Sequence, residues 1–566
     1  MRRFLIFSLA AILVAVGIVS AVAQRPAPPR RPPPPGRRPP PLAPERAAPL
    51  AVDAVPPRRS EADDRQASRG LIQNADLEIA QDGASTVAQS PRGFEMDGDC
   101  LYSYLGNPAT DRTGWGVRFV SGQDVNGDGA RQGRLTQTVR GLKAEDGRWF
   151  RLRIRGLAQG NFSSASKQLF LKAEFFAADG QNPLDSVSRN IYGTIEELRR
   201  QSPSGETGPL ASVIWRTHGM EFRTPFPEVD TLRLSVGFGD GDGAGEYTEF
   251  LIDEFDLQGI PDPAEYVAAT SAPPGQRPQP PALAELTPLG GHWYYDPRGL
   301  SGPPPKQFDH ANADRLYYLT DRLELPFAEN MSAWLRKGYL DRQGKLVPED
   351  RFVPDNVVLS FDDGCLVIRS HNLPNHPTAV FPDVSRVLDG SPNYLREMDQ
   401  TFYIPLEPRE NPKHRAMTSA AQRHVMNPGA IGVAINGVVF FDPYDAEATE
   451  AFWRLDRCCG HPSPRQQYHY HKYPVCVKTP WVDNGESHSP LIGFAFDGFP
   501  VFGPYESPGV MAKDSSDNPL NEFNLHADEF RGPHYHVTPG KFPHILGGYW
   551  GTVDPRNLPN RTRAGR

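Results

Sequence analysis

One feature limits what this chain can fold into: a stretch near its C-terminus is written twice. Residues 431–444 read IGVAINGVVFFDPY and residues 492–505 read IGFAFDGFPVFGPY, an ungapped match to I-G-x-A-x-[ND]-G-x-x-x-F-x-P-Y. Asn436-Gly437 and Asp497-Gly498 each sit between apolar runs. That is a strong hairpin signal, because a two-residue type I′ turn needs positive φ at both central positions. Each copy is expected to be a β-hairpin closed by a Pro-Tyr turn. Asp497 alone could be a general base, but the matching position holds Asn436, and a turn role accounts for both.

Histidines follow each hairpin. Residues 461–471 read HPSPRQQYHYH and residues 526–536 read HADEFRGPHYH, so both are H-x7-H-Y-H. On an extended strand, residues i and i+2 share a face. His469 and His471 are therefore neighbours, as are His534 and His536, while Tyr470 and Tyr535 turn the other way into packing. His461 and His526 stand far enough upstream to return across a loop. Three neutral imidazoles converging in this way can hold Zn²⁺ or Cu²⁺. The competing reading is structural, with the imidazoles bonded to backbone or to acids such as Asp528. His488, just ahead of the second hairpin, is a further candidate ligand, and His544 a more remote one. The spacing leaves open whether the signatures form one shared site or two.

The chain has 566 residues, too many for one core, so several domains are expected. A net charge of −8 argues against nucleic acid as a partner. Residues 1–23 hold an apolar run ending Ala21-Val22-Ala23, which reads as a secretory signal; an uncleaved anchor would be the only membrane attachment. Residues 24–68 are a Pro/Arg-rich spacer, and residues 261–290 a second proline-rich linker. Export permits disulfides. Among the five cysteines, Cys458 or Cys459 with Cys476 would staple the loop carrying the first signature, and we take Cys459–Cys476 as the pair.

Residues 69–260 show short alternating runs such as RWFRLRIRGL and TLRLSVGFG separated by Gly and Asp/Asn turns, the pattern of a β-sandwich. LIQNADLEI and FLIDEFDL resemble the first and last strands of jelly-roll carbohydrate-binding modules. That resemblance implies a polysaccharide ligand and a structural Ca²⁺ held near Glu78 and Asp253, although both acids are equally accounted for as exposed strand residues. DVNGDG (124–129) begins like a calcium loop but has Leu135 where a bidentate Glu is needed, so it reads as a turn, as does GFGDGDGAGE (237–246). In residues 291–566, ENMSAWLRKGYL is the one helical pattern, and the rest reads as strands.

GAIGVAINGVVFFDPYDAE, CCGHP with YHYHKYPVC, HSPLIGFAFDGFPVFGPYE and HYHVTPGKFPHILGGYWG together resemble the YHYH-domain family, over a core of about 355–551. The second signature departs from the name, having Pro533 where a second Tyr would stand. The family is mostly bacterial and exported, and implies no particular reaction. No G-x-S-x-G or H-E-x-x-H occurs. The expectation is an all-β, multidomain exported protein: a jelly-roll-like sandwich targeting a metal-binding, internally duplicated YHYH domain. The alternative is a non-catalytic cell-surface or matrix binding protein with structural histidines.

Overall fold

The computed structural model describes residues 71–72, 74–75, 77, 90–98, 100–104, 115–121, 133–142, 149–160, 167–178, 180–190, 216–224, 226–240, 248–260, 281–328, 330–379, 381, 391, 393–417, 425–426, 429–444, 455–477 and 483–558. The signal, the Pro/Arg-rich spacer, the DVNGDG turn and most of GFGDGDGAGE lie outside them.

The fold is all-β and multidomain, and no α-helix occurs among the described residues. Ten strands make a jelly-roll-like sandwich: β1 Phe94–Gly98, β2 Cys100–Tyr104, β3 Trp115–Ser121, β4 Gly133–Val139, β5 Trp149–Gly160, β6 Lys167–Ala177, β7 Asp185–Asn190, β8 Arg216–Arg223, β9 Val229–Asp240 and β10 Thr248–Ile260. Two antiparallel sheets, ordered β1-β4-β9-β6-β7 and β2-β3-β10-β5-β8, face each other. Alternation explains β5: Phe150, Leu152 and Ile154 are buried, while Arg151, Arg153 and Arg155 point outward and stay partly exposed. The opening segment lies along β10, through Leu71 N to Leu257 O (3.0 Å) and Phe255 N to Ala75 O (2.7 Å).

Small sheets follow. β11 Thr287–Gly290, β12 Trp293–Tyr295, β13 Leu316–Leu319 and β14 Leu323–Glu324 form one; β15 Ala333–Leu335 pairs with β16 Arg351–Val353; β17 Val357–Asp362, β18 Cys365–Ser370 and β19 Gln400–Pro405 form another. Two expectations change here. The last residues of the expected 261–290 linker are strand β11. The helical pattern at ENMSAWLRKGYL also fails: Ala333 and Leu335 are buried on one face of β15, and Trp334 packs across the pair on Phe352 at 5.2 Å. That period of two, followed by Gly338 at φ 93°, outweighs helix propensity.

The duplication builds one eight-stranded sheet from β20 Ala430–Ala434, β21 Val439–Phe441, β22 Gly460–Pro462, β23 Tyr468–Tyr470, β24 Leu491–Ala495, β25 Pro500–Phe502, β28 Leu525–Asp528 and β29 Gly532–His536. A small ribbon, β26 Tyr505–Ser507 with β27 Val510–Met511, branches after β25. The order β22-β23-β21-β20-β24-β25-β29-β28 is a palindrome of the two copies. A pseudo-twofold axis passes between β20 and β24, where Gly432 pairs with Ala495 and Ala434 with Gly493. Glycine is required there: a Cβ on Gly432 would stand 2.6 Å from Phe494 O, and one on Gly493 2.4 Å from Val433 O.

The hairpins form, but not with the expected turn. Gly437 N donates to Ala434 O and Ala434 N to Val438 O, each at 2.8 Å; Gly498 and Ala495 repeat the pattern with Phe499. Only Gly437 (φ 81°) and Gly498 (φ 97°) are left-handed, whereas Asn436 and Asp497 keep negative φ. The connection is thus a three-residue loop, a type I turn ending in a left-handed glycine, which relieves the Asn or Asp of positive φ.

The sandwich is docked on this sheet. Lys472 Nζ meets Asp185 Oδ1 at 2.9 Å with both side chains buried, and Tyr505 Oη donates to Glu228 at 2.8 Å. Phe226 stacks on Tyr473 at 6.4 Å, and Tyr505 and Met511 join the sandwich core.

Candidate metal centres

Strand pairing makes each signature a cross-strand set. His461 lies directly opposite His469 in β22–β23, and His526 opposite His534 in β28–β29. His471 and His536 follow two residues on, on the same face. All six are buried. Tyr470 and Tyr535 point to the other face, into a core containing Ile431, Phe440, Ile492 and Val501. The two histidine sets sit near opposite edges of the sheet. Five strand-to-strand steps separate β23 from β29, roughly 24 Å at the usual spacing. The signatures therefore form two places, not one.

In the first cluster, His461, His469 and His471 bring their ligand atoms within 4.8 Å of one another. His469 Nδ1 donates to Gln467 O (2.9 Å) and His471 Nδ1 to Asp442 O (2.7 Å). A carbonyl only accepts, so each Nδ1 carries the proton and each Nε2 presents a lone pair inward. The two Nε2 atoms face each other at 2.9 Å. His469 also stacks on Phe441 at 3.7 Å. Burial, and then the neighbouring His461 and His471, hold the His469 imidazole well below its usual pKa.

The second cluster uses the same device four times. His488 Nδ1 donates to Ser489 O (2.8 Å), His526 Nδ1 to Asn518 O (2.8 Å), His534 Nδ1 to Gly532 O (2.7 Å) and His536 Nδ1 to Gly503 O (2.6 Å). Their Nε2 atoms converge, with His526 to His534 at 3.0 Å and His488 to His534 at 3.4 Å. Burial pushes His488 down to about 4 and His534 to about 3, and holds His536 well below its usual range.

His488 thus joins His534 and His536 in the second group of converging ligand atoms, His526 stands at its edge against His534, and His544 enters neither group among the described residues. Glu506 was not foreseen. Its Oε2 stands 2.9 Å from His526 Nε2 and 3.7 Å from His536 Nε2. The signal was present, since an acid follows Pro-Tyr in both copies, Asp445 and Glu506. Glu78 lies outside the described residues, and so does the side chain of Asp253 in β10, so the expected calcium acids are not placed.

The disulfide differs from the expected Cys459–Cys476 pair: Cys458 bonds to Cys476, and Cys459 is a buried free thiol. The cause is the turn. Cys459 has φ 64°, which reverses the chain between the two cysteines and leaves Cys458 packed towards Pro377 and Cys476. Burial pushes the Cys459 thiol up to about 12. The disulfide closes the segment that carries the whole first signature.

Among known proteins, residues 401–524 match the YHYH protein family, so this part of the chain is a YHYH domain. The match includes the first cluster and His488 but stops short of His526, His534 and His536. No curated protein matches the chain. Of solved structures, a cyclase from Fischerella sp. TAU in complex with 4-(1H-indol-3-yl)butan-2-one is 15% identical, with TM-score 0.20 over 34% of this chain and 97% of that one. An exo-β-agarase is 8% identical, with TM-score 0.19 over 32% of this chain and 25% of that one. The agarase AgWH50C is 10% identical, with TM-score 0.17 over 31% and 24%. The chain thus spans about a quarter of the length of each agarase.

Proposed function

We propose that this YHYH-domain chain is an exported protein that binds divalent transition ions at its two histidine clusters, with Zn²⁺ or Cu²⁺ at the three-histidine one, and that its sandwich recognises a polysaccharide. One observation carries the metal reading: every resolved Nδ1 contact in the clusters goes to a backbone carbonyl, so lone pairs on Nε2 face one another at 2.9 Å in the first and 3.0 Å in the second. Opposed lone pairs at that distance repel unless a cation lies between them. Burial disfavours a proton there, which supports a metal ion as that cation. Backbone carbonyls fixing the outer nitrogen are the usual support of a ligating imidazole. The Cys458–Cys476 disulfide supports export, since such bonds persist in oxidising compartments. The glycan reading rests on the jelly-roll-like architecture and is tested by retention of the full chain on immobilised polysaccharides.

Elemental analysis of purified full-length protein tests the metal reading. Two transition ions per chain and a lower melting temperature after chelation are expected. Metal-free protein whose melting is unchanged by chelation would overturn it and favour a non-catalytic surface protein with structural histidines.

A further inference from the structure

The two clusters are related by the pseudo-twofold axis but differ in donors. Among the described residues, the first group of converging ligand atoms contains only imidazoles, while the second includes a carboxylate. Glu506 is held in place from several sides. Its neighbour Tyr505 is tied to Glu228 of the sandwich through its hydroxyl and to Ser489 Oγ through its backbone N (2.8 Å). Asn518 Nδ2 donates to Glu506 Oε1 at 3.2 Å, and the same residue's carbonyl receives His526 Nδ1. One oxygen of Glu506 is therefore occupied and the other turned among the imidazoles. That second oxygen, Oε2, stands 2.9 Å from His526 Nε2 and 3.7 Å from His536 Nε2, and the Nε2 of the fully buried His536 completes no hydrogen bond among the described residues. A buried imidazole nitrogen left without a partner beside a carboxylate oxygen is costly unless a cation joins them.

We infer that His488, His526, His534, His536 and Glu506 form a mixed imidazole–carboxylate centre for one five- or six-coordinate divalent ion of the Fe²⁺ or Mn²⁺ class, distinct from the ion of the three-histidine site. The inference rests on the metal-binding reading proposed above and adds to it the kind of ion. His488, His534, His536 and Glu506 bring their ligand atoms within 4.8 Å of one another, and His526 Nε2, 3.0 Å from His534 Nε2 and 2.9 Å from Glu506 Oε2, adds a fifth donor beside them, one more than tetrahedral zinc takes. A carboxylate among imidazoles shifts preference towards harder, higher-coordinate ions. Its negative charge also offsets part of a dication's in a buried place, which an all-imidazole site does not do. Asn518 is a positioning residue: it touches no ion but fixes Glu506 and His526 together.

The test uses Co²⁺ as a coordination reporter in chelated, reloaded full-length protein. His469→Ala/His471→Ala removes the first site and isolates the second. In that background, one Co²⁺ per chain with the weak d–d bands of five- or six-coordinate cobalt is expected. Adding Glu506→Gln should weaken cobalt binding by about tenfold or more. Competition in the same background should show Fe²⁺ or Mn²⁺ held against a Zn²⁺ excess better than in the converse variant His534→Ala/His536→Ala. Intense tetrahedral bands unchanged by Glu506→Gln would overturn the inference while leaving two metal sites standing. Wild-type protein that takes up no ion at all would overturn the parent reading instead. Circular dichroism of each variant identifies misfolding; if Glu506→Gln fails to fold, Asn518→Ala serves in its place, with the same weakening expected and its absence counting against the centre.

Discussion

The hydroxyl of Tyr535 donates to Asp497 Oδ2 at 2.7 Å, joining the histidine strand β29 to the turn of the second hairpin. The first copy makes the same contact with the polarity reversed: Asn436 Nδ2 donates to Tyr470 Oη at 3.0 Å, and that hydroxyl lies 2.6 Å from His376 Nε2. The tyrosine of each H-Y-H thus locks its strand to its own hairpin, which sets where the flanking imidazoles stand.

Asp497 carries a pH signature as a result. Burial raises its carboxyl to about 6 against hydrogen bonds from Tyr535, Gly551 and Phe499 that lower it. A raised folded pKa means that its stabilising contribution is complete below the unfolded value near 3.9 and is lost as pH rises through about 6. Asp497→Asn, which restores the residue of the other copy, should flatten that part of the stability profile. At pH 7 it should be as stable as wild type, or more stable by about 1 kcal/mol. Urea unfolding of both proteins from pH 4 to 7.5 measures the difference. A variant that keeps the wild-type slope would contradict this assignment.

The histidines impose the opposite slope on metal-free protein. His488 at about 4, and His534 and His544 at about 3, are lowered first by burial. Their unfolded value is about 6.5. The stability of these neutral imidazoles is present above that value and is lost as pH falls towards about 3, because the unfolded chain takes up protons the fold refuses. Chelated protein should therefore melt at steadily lower temperature below about pH 6.5. A flat melting temperature from pH 7 to 5 would show that the imidazoles are not excluded from water as described.

The sequence made the duplication legible because an ungapped repeat with turn residues at fixed offsets survives any change of partner strand. Faces were legible too: His469 and His471 on one side and Tyr470 on the other follow from period two alone. What could not be read was long-range. Nothing local says that β21 runs parallel to β23 while β20 meets β24, and that pairing is what sends the two clusters to opposite edges. Glu506 was missed because it lies on a ribbon outside both signatures. The disulfide partner was misassigned because adjacent cysteines differ only in backbone conformation, here the φ of 64° at Cys459.

The corrected disulfide makes its own prediction. Cys458–Cys476 spans 18 residues that include His461, His469 and His471. Closing a loop of that length is worth about 3 kcal/mol. Cys458→Ala/Cys476→Ala should lose about that much and weaken metal binding at the first cluster, with the second unaffected. Cys459→Ala should cost only about 1 kcal/mol for its small buried side chain. Denaturant melts and metal titration of the two variants distinguish them. Greater damage from Cys459→Ala would reverse the assignment.

The buried pair Lys472–Asp185 ties the first cluster to the sandwich. Lys472 directly follows His471, and its Nζ reaches both Asp185 Oδ1 (2.9 Å) and Ser186 O (2.5 Å). Asp185 Oδ1 also accepts from Gly540 N at 2.8 Å, in the segment after the second signature. One carboxylate of the sandwich thus bonds to chain beyond each histidine set. A buried charge left alone is costly, so Asp185→Ala or Lys472→Met singly should destabilise by about 3–5 kcal/mol. The double substitution should recover most of that loss, because it removes both desolvated charges together. A sandwich that only delivered the domain to a surface would tolerate all three changes, and additive costs in the cycle would show that the two side chains do not interact. Recovery in the double variant, together with altered metal affinity at the first cluster in the single ones, is the outcome expected if the sandwich is part of the site's support.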